Sequence, residues 1–190
     1  MHRYEIINNL IKKYDYKSYL EIGTQFGQCF QHINIENKIC VDPVKNYDKL
    51  THKMTSDDFF QQNKEKFDII FVDGLHTEDQ CLKDILNSVK VLNKNGSIIV
   101  HDCLPSDEKY TDPNWNGTVF RSIIELRYWY SDVDVKVIDT DCGCGFIRRG
   151  KQEPYNKVPI SLAKTFDYYH NNKKELMNVI SLDEFLKCIA

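Results

Sequence analysis

Carboxylates and imidazoles in this 190-residue sequence recur where short apolar runs end, and these side chains are the ones best suited to chemistry. Each of four such runs carries an acid at or just beyond its end: Glu21, Asp42, Asp73 to His76, and His101-Asp102. In an open α/β sheet, ligands bind beyond the carboxyl ends of the parallel strands. If the four runs are strands of one sheet, their acids therefore surround one ligand site.

The first of these ends is a glycine turn, in which Glu21 precedes Gly23 and Gly27 in the stretch YLEIGTQFG. The spacing lacks the lysine of a P-loop and the third glycine of a dinucleotide fingerprint. Two like charges about 4 Å apart repel by about 1 to 4 kcal/mol, so Glu21 argues against a phosphate and against a dehydrogenase. A cationic ligand without phosphate, such as S-adenosylmethionine, fits better, and Asp42 is placed to accept from its ribose hydroxyls.

The elements that must position these residues follow from the apolar periodicity. The pattern predicts, in order, a helix over 3–14, a strand at SYLEIG, a helix at QFGQCFQHIN, strands at KICVDP and LTHKMT, a helical turn at SDDFFQQN and a buried strand at FDIIFVDG. A helix follows from about Thr77, where Thr77 and Gln80 match a capping box, and KNG ends it before the buried strand GSIIVHD. Strands alternating with helices at this spacing predict a parallel, doubly wound sheet.

The second half of the chain reads differently. A long polar loop at 105–117 leads to an aromatic-rich helix from about Thr118 to Tyr130. VDVKVID and GCGFIRR lie too close for a crossover helix, so they predict an antiparallel pair at the end of the sheet. The tail is predicted to hold two short helices, the second capped by Ser181 and Glu184. We expect one domain over 1–190, with its core at about 15–150 and a C-terminal helical tail at 151–190.

The composition restricts the classes of partner and the cellular compartment that we expect for this protein. The net charge is −3 with no evident basic face, which argues against nucleic acid. The sequence contains no run of about 18 apolar residues and no signal-peptide core, so we expect a cytoplasmic protein without membrane contact. Seven cysteines lie at scattered positions, and we interpret them as reduced, mostly buried thiols. The cluster CGC at 142–144 would point both sulfurs to one face of a strand, but a zinc site lacks its other ligands.

Taken in order, six motifs resemble those of the class I S-adenosylmethionine-dependent methyltransferases: YLEIGTQFG, VDP, MTSDDFF, FDIIFVDGLH, GSIIVHDCLP and DTDCGCGFIRRG. Within that class they resemble compact domains found near sugar- and secondary-metabolite genes, over about residues 15 to 150. The resemblance implies a Rossmann-like, mostly parallel seven-stranded sheet whose last strand is antiparallel. It thus agrees with the antiparallel pair predicted from spacing.

The resemblance also implies a cofactor site made of Glu21, Gly23, Thr24, Gly27, Asp42, Ser56, Asp57 and Asp73. The glycine turn would hold the methionine part of the cofactor, Asp42 the ribose, and Asp73 would face the methyl group. Ser56 and Asp57 would lie near the adenine, with Asp57 accepting from the exocyclic amine unless it caps a helix instead. We expect a side chain at Gly23 to block the cofactor and to leave the fold intact.

At the reactive end, methyl transfer needs an aligned nucleophile and a group that removes its proton. The candidate catalytic residues are Asp73, His76, His101 and Asp102. His76 is the favoured base because it precedes a helix N-terminus, whose dipole should keep the imidazole neutral, although a packing role in the turn stays open.

A metal scheme is the alternative. In some sugar and macrolide O-methyltransferases that the chain resembles, acids at the positions of Asp73 and Asp102 bind magnesium. His101 stands where a third acid is expected, and magnesium prefers oxygen ligands, whereas a softer divalent ion tolerates imidazole. We therefore favour the metal-free scheme.

The function predicted from sequence is O-methylation of a small hydroxylated acceptor, with a sugar or glycan precursor as the first choice. Trp115 and Tyr110 of the polar loop could stack on such an acceptor, while Thr118 stands where the family often has an acid. The alternative is a cofactor-binding or interaction module without catalysis. A homodimer is compatible with either hypothesis.

Overall fold

The computed structural model describes residues 1–189. Its strands are β1 (Ser18–Ile22), β2 (Asn37–Val41), β3 (Phe67–Val72), β4 (Leu92–Val100), β5 (Val133–Ile138), β6 (Cys144–Arg149) and β7 (Val179–Ile180). Its α-helices are α1 (Arg3–Tyr14), α2 (Ser56–Gln62), α3 (Glu78–Val91), α4 (Val119–Trp129), α5 (Ile160–Ala163), α6 (Phe166–Leu176) and α7 (Leu182–Cys188). Two 3-10 turns lie at Phe30–His32 and Glu108–Thr111.

The strands form one sheet in the order β2-β1-β3-β4-β6-β5-β7. The pairs from β2 to β4 are parallel, and β6 runs antiparallel between β4 and β5. The predicted fold class is confirmed, and the antiparallel strand is β6. The two-residue β7 follows β6 in the chain and pairs parallel to β5. The order reverses between β1 and β3, so ligands are expected beyond the ends of these two strands.

Apolar residues cover both faces of the sheet, as its continuous hydrophobic strands predict. Ile70 and Val72 of β3 pack in one buried cluster with residues of α3 and α4. Ile69 and Phe71, which point the other way, pack in a second cluster with residues of α1 and α7. The predicted apolar stripe of α1 is thus a core element, and the helix is fixed against the sheet.

The helix predicted directly after β1 is wrong. Gln25 and Gly27 have φ of 48° and 75°, which interrupts an α-helix, and only the short 3-10 turn at Phe30–His32 forms. A Cβ on Gly27 would lie 2.5 Å from the ring of Tyr47, so the turn needs glycine for a close approach as well as for its backbone. The strand predicted at LTHKMT is also absent from the described chain, except for one bridge between Val41 and His52.

Helix ends agree with the prediction in part. Helix α3 follows Thr77 as predicted, but Thr77 makes no side-chain cap, and the Glu78 N–H donates instead to Thr118 Oγ1 at 2.8 Å. KNG does not end this helix; it lies within β4. The capping box of Ser181 and Glu184 is confirmed, while the tail holds three helices rather than two.

The cysteines of the described chain are free thiols, and five of the seven are buried, as expected. Cys142 is exposed and Cys144 is buried, so the prediction that their sulfurs share one face is wrong. The reason is that Cys142 lies before β6, with φ of 61°. Among the described residues, no helix combines the length and apolar character required to cross a membrane.

Candidate active site

A cavity of about 920 Å³ lies beyond the carboxyl ends of β1 to β4. Its volume is typical of small-molecule sites. All of the site residues predicted from sequence line it except Gly27, which shapes the turn from behind. The cavity therefore joins the predicted cofactor residues to the predicted reactive residues in one space.

Glu21 lies in the wall of this cavity with only 1% of its surface exposed. The Tyr19 hydroxyl donates to its carboxylate. Burial raises the pKa of Glu21 to about 8, against the opposing effect of this hydrogen bond. The carboxyl is therefore mostly protonated in the free protein near neutral pH. The charge repulsion assumed from sequence applies only once Glu21 has ionised.

Gly23 is required by the sheet itself. Its φ is 83°, and a Cβ there would lie 2.1 Å from the carbonyl oxygen of Asp73 and 2.5 Å from the Cα of Gly74. Both atoms belong to the backbone that continues β3, so they cannot move aside cheaply. The expectation that a side chain at Gly23 leaves the fold intact is wrong, because it would separate the ends of β1 and β3.

Asp42 accepts hydrogen bonds that hold the glycine turn in place. Its Oδ2 accepts from the backbone N–H groups of Thr24 at 3.1 Å and Gln25 at 2.8 Å. Its Oδ1 accepts from the N–H of Val44 at 2.8 Å. Since a carboxylate can accept about four hydrogen bonds, capacity remains for a ligand hydroxyl. Asp42 thus orders the glycine turn and the start of the loop after β2. Its role in holding a ribose stays a prediction.

At the far end of the cavity, Asp57 is engaged with the protein. Lys83 Nζ lies 2.5 Å from its Oδ2, and Gln80 Nε2 lies 3.2 Å from its Oδ1. Asp57 does not cap α2, since Thr55 accepts from the Asp58 N–H in that role. The adenine role predicted for Asp57 therefore competes with an ion pair.

The predicted reactive residues meet beyond β3 and β4. His76 Nε2 lies 3.5 Å from Asp73 Oδ1 and 3.4 Å from Asp102 Oδ2. His101 Nδ1 lies 3.3 and 3.2 Å from the same two oxygens. Two carboxylates and two imidazoles therefore form one cluster, which we call the reactive cluster.

The orientation of His76 is fixed by the loop above it. Its Nδ1 donates to the carbonyl of Trp115, which leaves Nε2 toward the carboxylates. The hydrogen bond with Asp73 raises the pKa of His76, and the Asp102 charge adds to this, while burial opposes it. The prediction that the helix dipole favours the neutral imidazole is not met, because the two carboxylates outweigh the N-terminus of α3 and raise the pKa of His76. A base role for His76 then depends on the share of its imidazole that is neutral, which grows as the pH rises.

Two charged residues that sequence reasoning missed lie directly beside the reactive cluster. Arg3 Nη1 lies 3.3 Å from Asp141 Oδ2, and Arg3 Nε lies 3.8 Å from Asp73 Oδ2. His101 Nε2 lies 3.4 Å from Arg3 Nη1 and 3.8 Å from Asp141 Oδ1. Asp141 could have been found, because it follows β5 as the other acids follow their strands. The local sequence around Arg3 gives no such signal.

The charges of this cluster are balanced internally. Burial alone would raise the pKa of Asp73, but His101, His76 and Arg3 outweigh it and hold that pKa far below its usual range. Burial alone would lower the pKa of His101, but Asp73, Asp102 and Asp141 raise it well above its usual value. The three carboxylates therefore favour the protonated form of His101.

The same geometry could hold a metal ion. Asp73, His76 and Asp102 each offer one ligand atom, and these atoms lie within 4.8 Å of one another. A ligand imidazole commonly donates its other N–H to a carbonyl, as His76 does to Trp115. The third possible ligand is thus His76. The family resemblance had instead placed the third ligand position at His101. The donor set fits a divalent ion with oxygen and nitrogen ligands, in competition with His101 for the same carboxylates.

The loop at 105–117 lies against the reactive cluster. Asn116 Nδ2 donates to Asp102 Oδ1 at 2.9 Å, and a Cβ on Gly117 would lie 1.9 Å from the carbonyl oxygen of His76. Trp115 remains 61% exposed, and its ring meets that of Tyr110 edge-on at 5.6 Å. The loop thus positions His76 and leaves an indole at the mouth of the cavity.

The family model of a methyltransferase domain matches residues 20–103, the stretch from β1 to the end of β4. This stretch of the chain is therefore similar to a methyltransferase domain. The matched stretch includes every strand end that forms the cofactor side of the cavity. A comparison with curated proteins found no match.

Solved structures share the methyltransferase fold at low sequence identity. An O-methyltransferase from Bacillus cereus in complex with SAH is 14% identical, with a TM-score of 0.60, covering 78% of this chain and 80% of that one. The O-methyltransferase TomG from Streptomyces achromogenes, in complex with SAM, is 16% identical, with a TM-score of 0.61 and coverage of 77% and 79%. PaMTH1 from Podospora anserina, bound to SAH, is 18% identical, with a TM-score of 0.58 and coverage of 78% of each chain.

Proposed function

We propose that this methyltransferase transfers a methyl group from S-adenosylmethionine to a hydroxyl of a small acceptor. The observation that carries the proposal is the lining of the cavity. Acids stand at four neighbouring strand ends, and Arg3 is the one lysine or arginine among the described lining residues. Such a lining disfavours phosphate and suits a cofactor with a net positive charge. The shared fold of O-methyltransferases that contain SAM or SAH supports the same cofactor.

S-adenosylmethionine, when bound, supplies a methyl group on a positively charged sulfur that an oxygen nucleophile can displace. Glu21 and the glycine turn hold its methionine part, and Asp42 accepts from its ribose hydroxyls. Asp73 faces the methyl group from the end of β3. These residues bind and orient, so the remaining task for the protein is to remove the proton of the acceptor.

His76 performs that task in our proposal. Because its Nδ1–H is held by the Trp115 carbonyl, Nε2 is the atom that accepts the proton. Asp73 and Asp102, at 3.5 and 3.4 Å from Nε2, stabilise the imidazolium that forms. His101 Nδ1 lies against both carboxylates and Arg3 lies against Asp73, so these two residues hold the carboxylates in place.

A divalent ion is the second scheme, favoured by the three donor atoms that lie close together. Asp73, Asp102 and His76 would hold the ion, which would lower the pKa of the acceptor hydroxyl. In that scheme His76 is a ligand and not a base. We favour the metal-free scheme because Arg3 already lies against Asp73, and the His101 imidazole lies against both Asp73 and Asp102.

The acceptor class is proposed from the mouth of the cavity. Trp115 and Leu75 are each 61% exposed there and offer apolar contact to a ring. A sugar or glycan precursor stays our prediction, as do a homodimer and a cytoplasmic location. The competing hypothesis is a cofactor-binding module without catalysis. The four side chains of the reactive cluster argue against it.

Calorimetric titration with S-adenosylmethionine, its demethylated product and NAD tests the cofactor. We expect the first two to bind and NAD not to bind. Asp42→Ala should weaken binding by about tenfold or more, through the lost ribose contact and the loosened turn. The exposed Asp48→Ala is the matched control, and a thermal melt of each variant separates unfolding from lost contact. Binding of NAD alone would refute the proposal.

Methyl transfer to a panel of hydroxylated compounds, followed by mass spectrometry, tests the mechanism. In the metal-free scheme, activity survives a chelator and His76→Ala lowers turnover by about 10²- to 10⁴-fold. In the metal scheme, a chelator abolishes activity and added manganese or magnesium restores it. Asp102→Asn is a suitable second variant, because Asn tolerates the φ of 61° that the backbone has at position 102. Full activity of His76→Ala would exclude both schemes.

A further inference from the structure

Tyr19 carries a buried hydroxyl that has no role in the mechanism above. Tyr19 and Glu21 lie two residues apart on β1, so their side chains leave the same face of the sheet. At both positions β1 pairs with β2 on one side and with β3 on the other. Tyr19 has no exposed surface, whereas Glu21 lines the cavity. The strand therefore fixes a hydroxyl behind the carboxyl that a ligand would meet.

The protein supplies two hydrogen-bond donors to Glu21. The Tyr19 hydroxyl donates to Glu21 Oε2. The Cys29 thiol also hydrogen-bonds to Glu21, and its sulfur lies 3.8 Å from the Tyr19 hydroxyl oxygen. Burial raises the pKa of both Tyr19 and Cys29, so both groups keep their protons. Because a carboxylate can accept about four hydrogen bonds, these two leave capacity for a ligand in the cavity.

Charges on other elements reach Glu21 and partly cancel. Burial raises the pKa of Glu21 most, and the Tyr19 hydrogen bond is the largest effect that opposes it. Asp73, which follows β3, raises this pKa, while Arg3 of α1 lowers it. Lys38 of β2 interacts with Glu21 from the other side of β1. The Tyr19 hydroxyl is therefore the contact that most favours an ionised Glu21.

We propose that Tyr19 is a positioning residue for the cofactor, because its hydroxyl holds the Glu21 carboxylate toward the amino group of the bound methionine part. The inference rests on the proposed function, in which Glu21 and the glycine turn hold that part. A hydrogen bond to a charged acceptor is stronger than one to a neutral acceptor. Glu21 is mostly protonated in the free protein, and an ammonium beside it favours the ionised form. The hydroxyl thus stabilises the bound state more than the free state.

The test is calorimetry at pH 7.5 with two probes, S-adenosylhomocysteine and 5′-methylthioadenosine, the second of which lacks the amino acid group. Tyr19→Phe removes one oxygen and keeps the ring. We expect it to weaken binding of the first probe by about tenfold and of the second by less than about threefold. Tyr16→Phe is the matched control, because Tyr16 lies in the same buried cluster and its hydroxyl donates to the Asn95 carbonyl at 2.8 Å. It should leave both affinities unchanged.

A double variant tests whether Tyr19 acts through Glu21. When Tyr19→Phe is added to Glu21→Gln, the affinity for S-adenosylhomocysteine should change by less than about threefold, since the charged acceptor is already absent. A loss as large as the one in the unmodified background would overturn the positioning role, because Tyr19 would then act by another route.

The remaining outcomes separate this role from the proposed function. Failure of the unmodified protein to bind S-adenosylhomocysteine overturns the proposed function. If the unmodified protein binds it, an unchanged affinity in Tyr19→Phe, or an equal loss for both probes, overturns the role of Tyr19 alone. A thermal melt of each variant checks that it is folded. If Tyr19→Phe does not fold, Tyr19→Met replaces it, since methionine adapts to irregular apolar space and also lacks the donor.

Discussion

At the scale of single residues, the buried carboxyl of Glu21 makes both the stability of the free protein and the binding of its ligand depend on pH. The carboxyl is buried beside Tyr19, and its pKa is about 8 rather than the usual 4.5. Between these two values the unfolded chain binds fewer protons at this position than the folded chain. Stability contributed by the neutral carboxyl is therefore full below about pH 4.5 and is lost as the pH rises through about 8.

We predict that the free energy of unfolding of the free protein falls by on the order of a few kcal/mol across this window. Glu21→Gln should remove most of that slope, whereas Glu36→Gln, at an exposed position, should not change it. Urea denaturation at several pH values measures the effect. Equal slopes in all three proteins would show that Glu21 is ionised in the free protein.

The same coupling predicts a proton release on binding. An ammonium group beside Glu21 favours the ionised carboxylate, so the product S-adenosylhomocysteine should displace a proton near pH 7. Calorimetry in two buffers with different ionisation enthalpies measures the release, which we expect to vanish in Glu21→Gln. A binding enthalpy that does not depend on the buffer would place the ammonium elsewhere.

At the scale of elements, α1 delivers a charge from the N-terminus to the reactive cluster. Ile6, Ile7 and Leu10 are fully buried and fix the helix on the sheet. At its start, the Arg3 N–H donates to Asp141 Oδ2 at 2.6 Å, and the guanidinium lies against the same acid. The helix thus acts as a rigid support for one side chain.

We predict that Arg3→Met lowers methyl transfer by about tenfold or more and destabilises the fold by on the order of 1 to 3 kcal/mol. The physical reason is that Asp73 and Asp141 lose a cation, although the 22% exposure of the Arg3 side chain moderates the loss. Lys12→Met, which removes the same charge from the exposed end of the same helix, is the control. Similar results for both variants would mean that Arg3 has no special role.

Periodicity predicts an element well where a full stripe or run becomes buried, as in α1, β3 and α4. It fails after β1, because the left-handed residues Gln25 and Gly27 divide an apparently helical stretch into turns. The acids at the strand ends allowed the reactive cluster to be predicted, because parallel strands bring their carboxyl ends together. Arg3 could not be found in this way, because its partner Asp141 is 138 residues away and only the fold joins them.

At the scale of the whole molecule, the tail after β6 is part of the core and is connected to the site. Tyr169, Leu176 and Phe185 have no exposed surface, and β7 extends the sheet beside β5. The Tyr169 ring packs on Phe120 at 4.5 Å, and its hydroxyl donates to the carbonyl of Pro105 at 3.2 Å. Pro105 begins the loop that carries Trp115, so the tail supports the roof of the cavity.

We therefore predict that a chain ending at Gly150 shows no cooperative thermal unfolding and binds no S-adenosylhomocysteine, although it retains every residue assigned to the cofactor and to the base. Its exposed apolar faces on β5 and α4 would remain without cover. In the full chain, Phe185→Ala should destabilise by about 3 to 5 kcal/mol, because it leaves a cavity against Phe146. Leu162→Ala, at a 46% exposed position of the same tail, should change stability little. Cooperative unfolding of the shortened chain would make the tail a separate appendage.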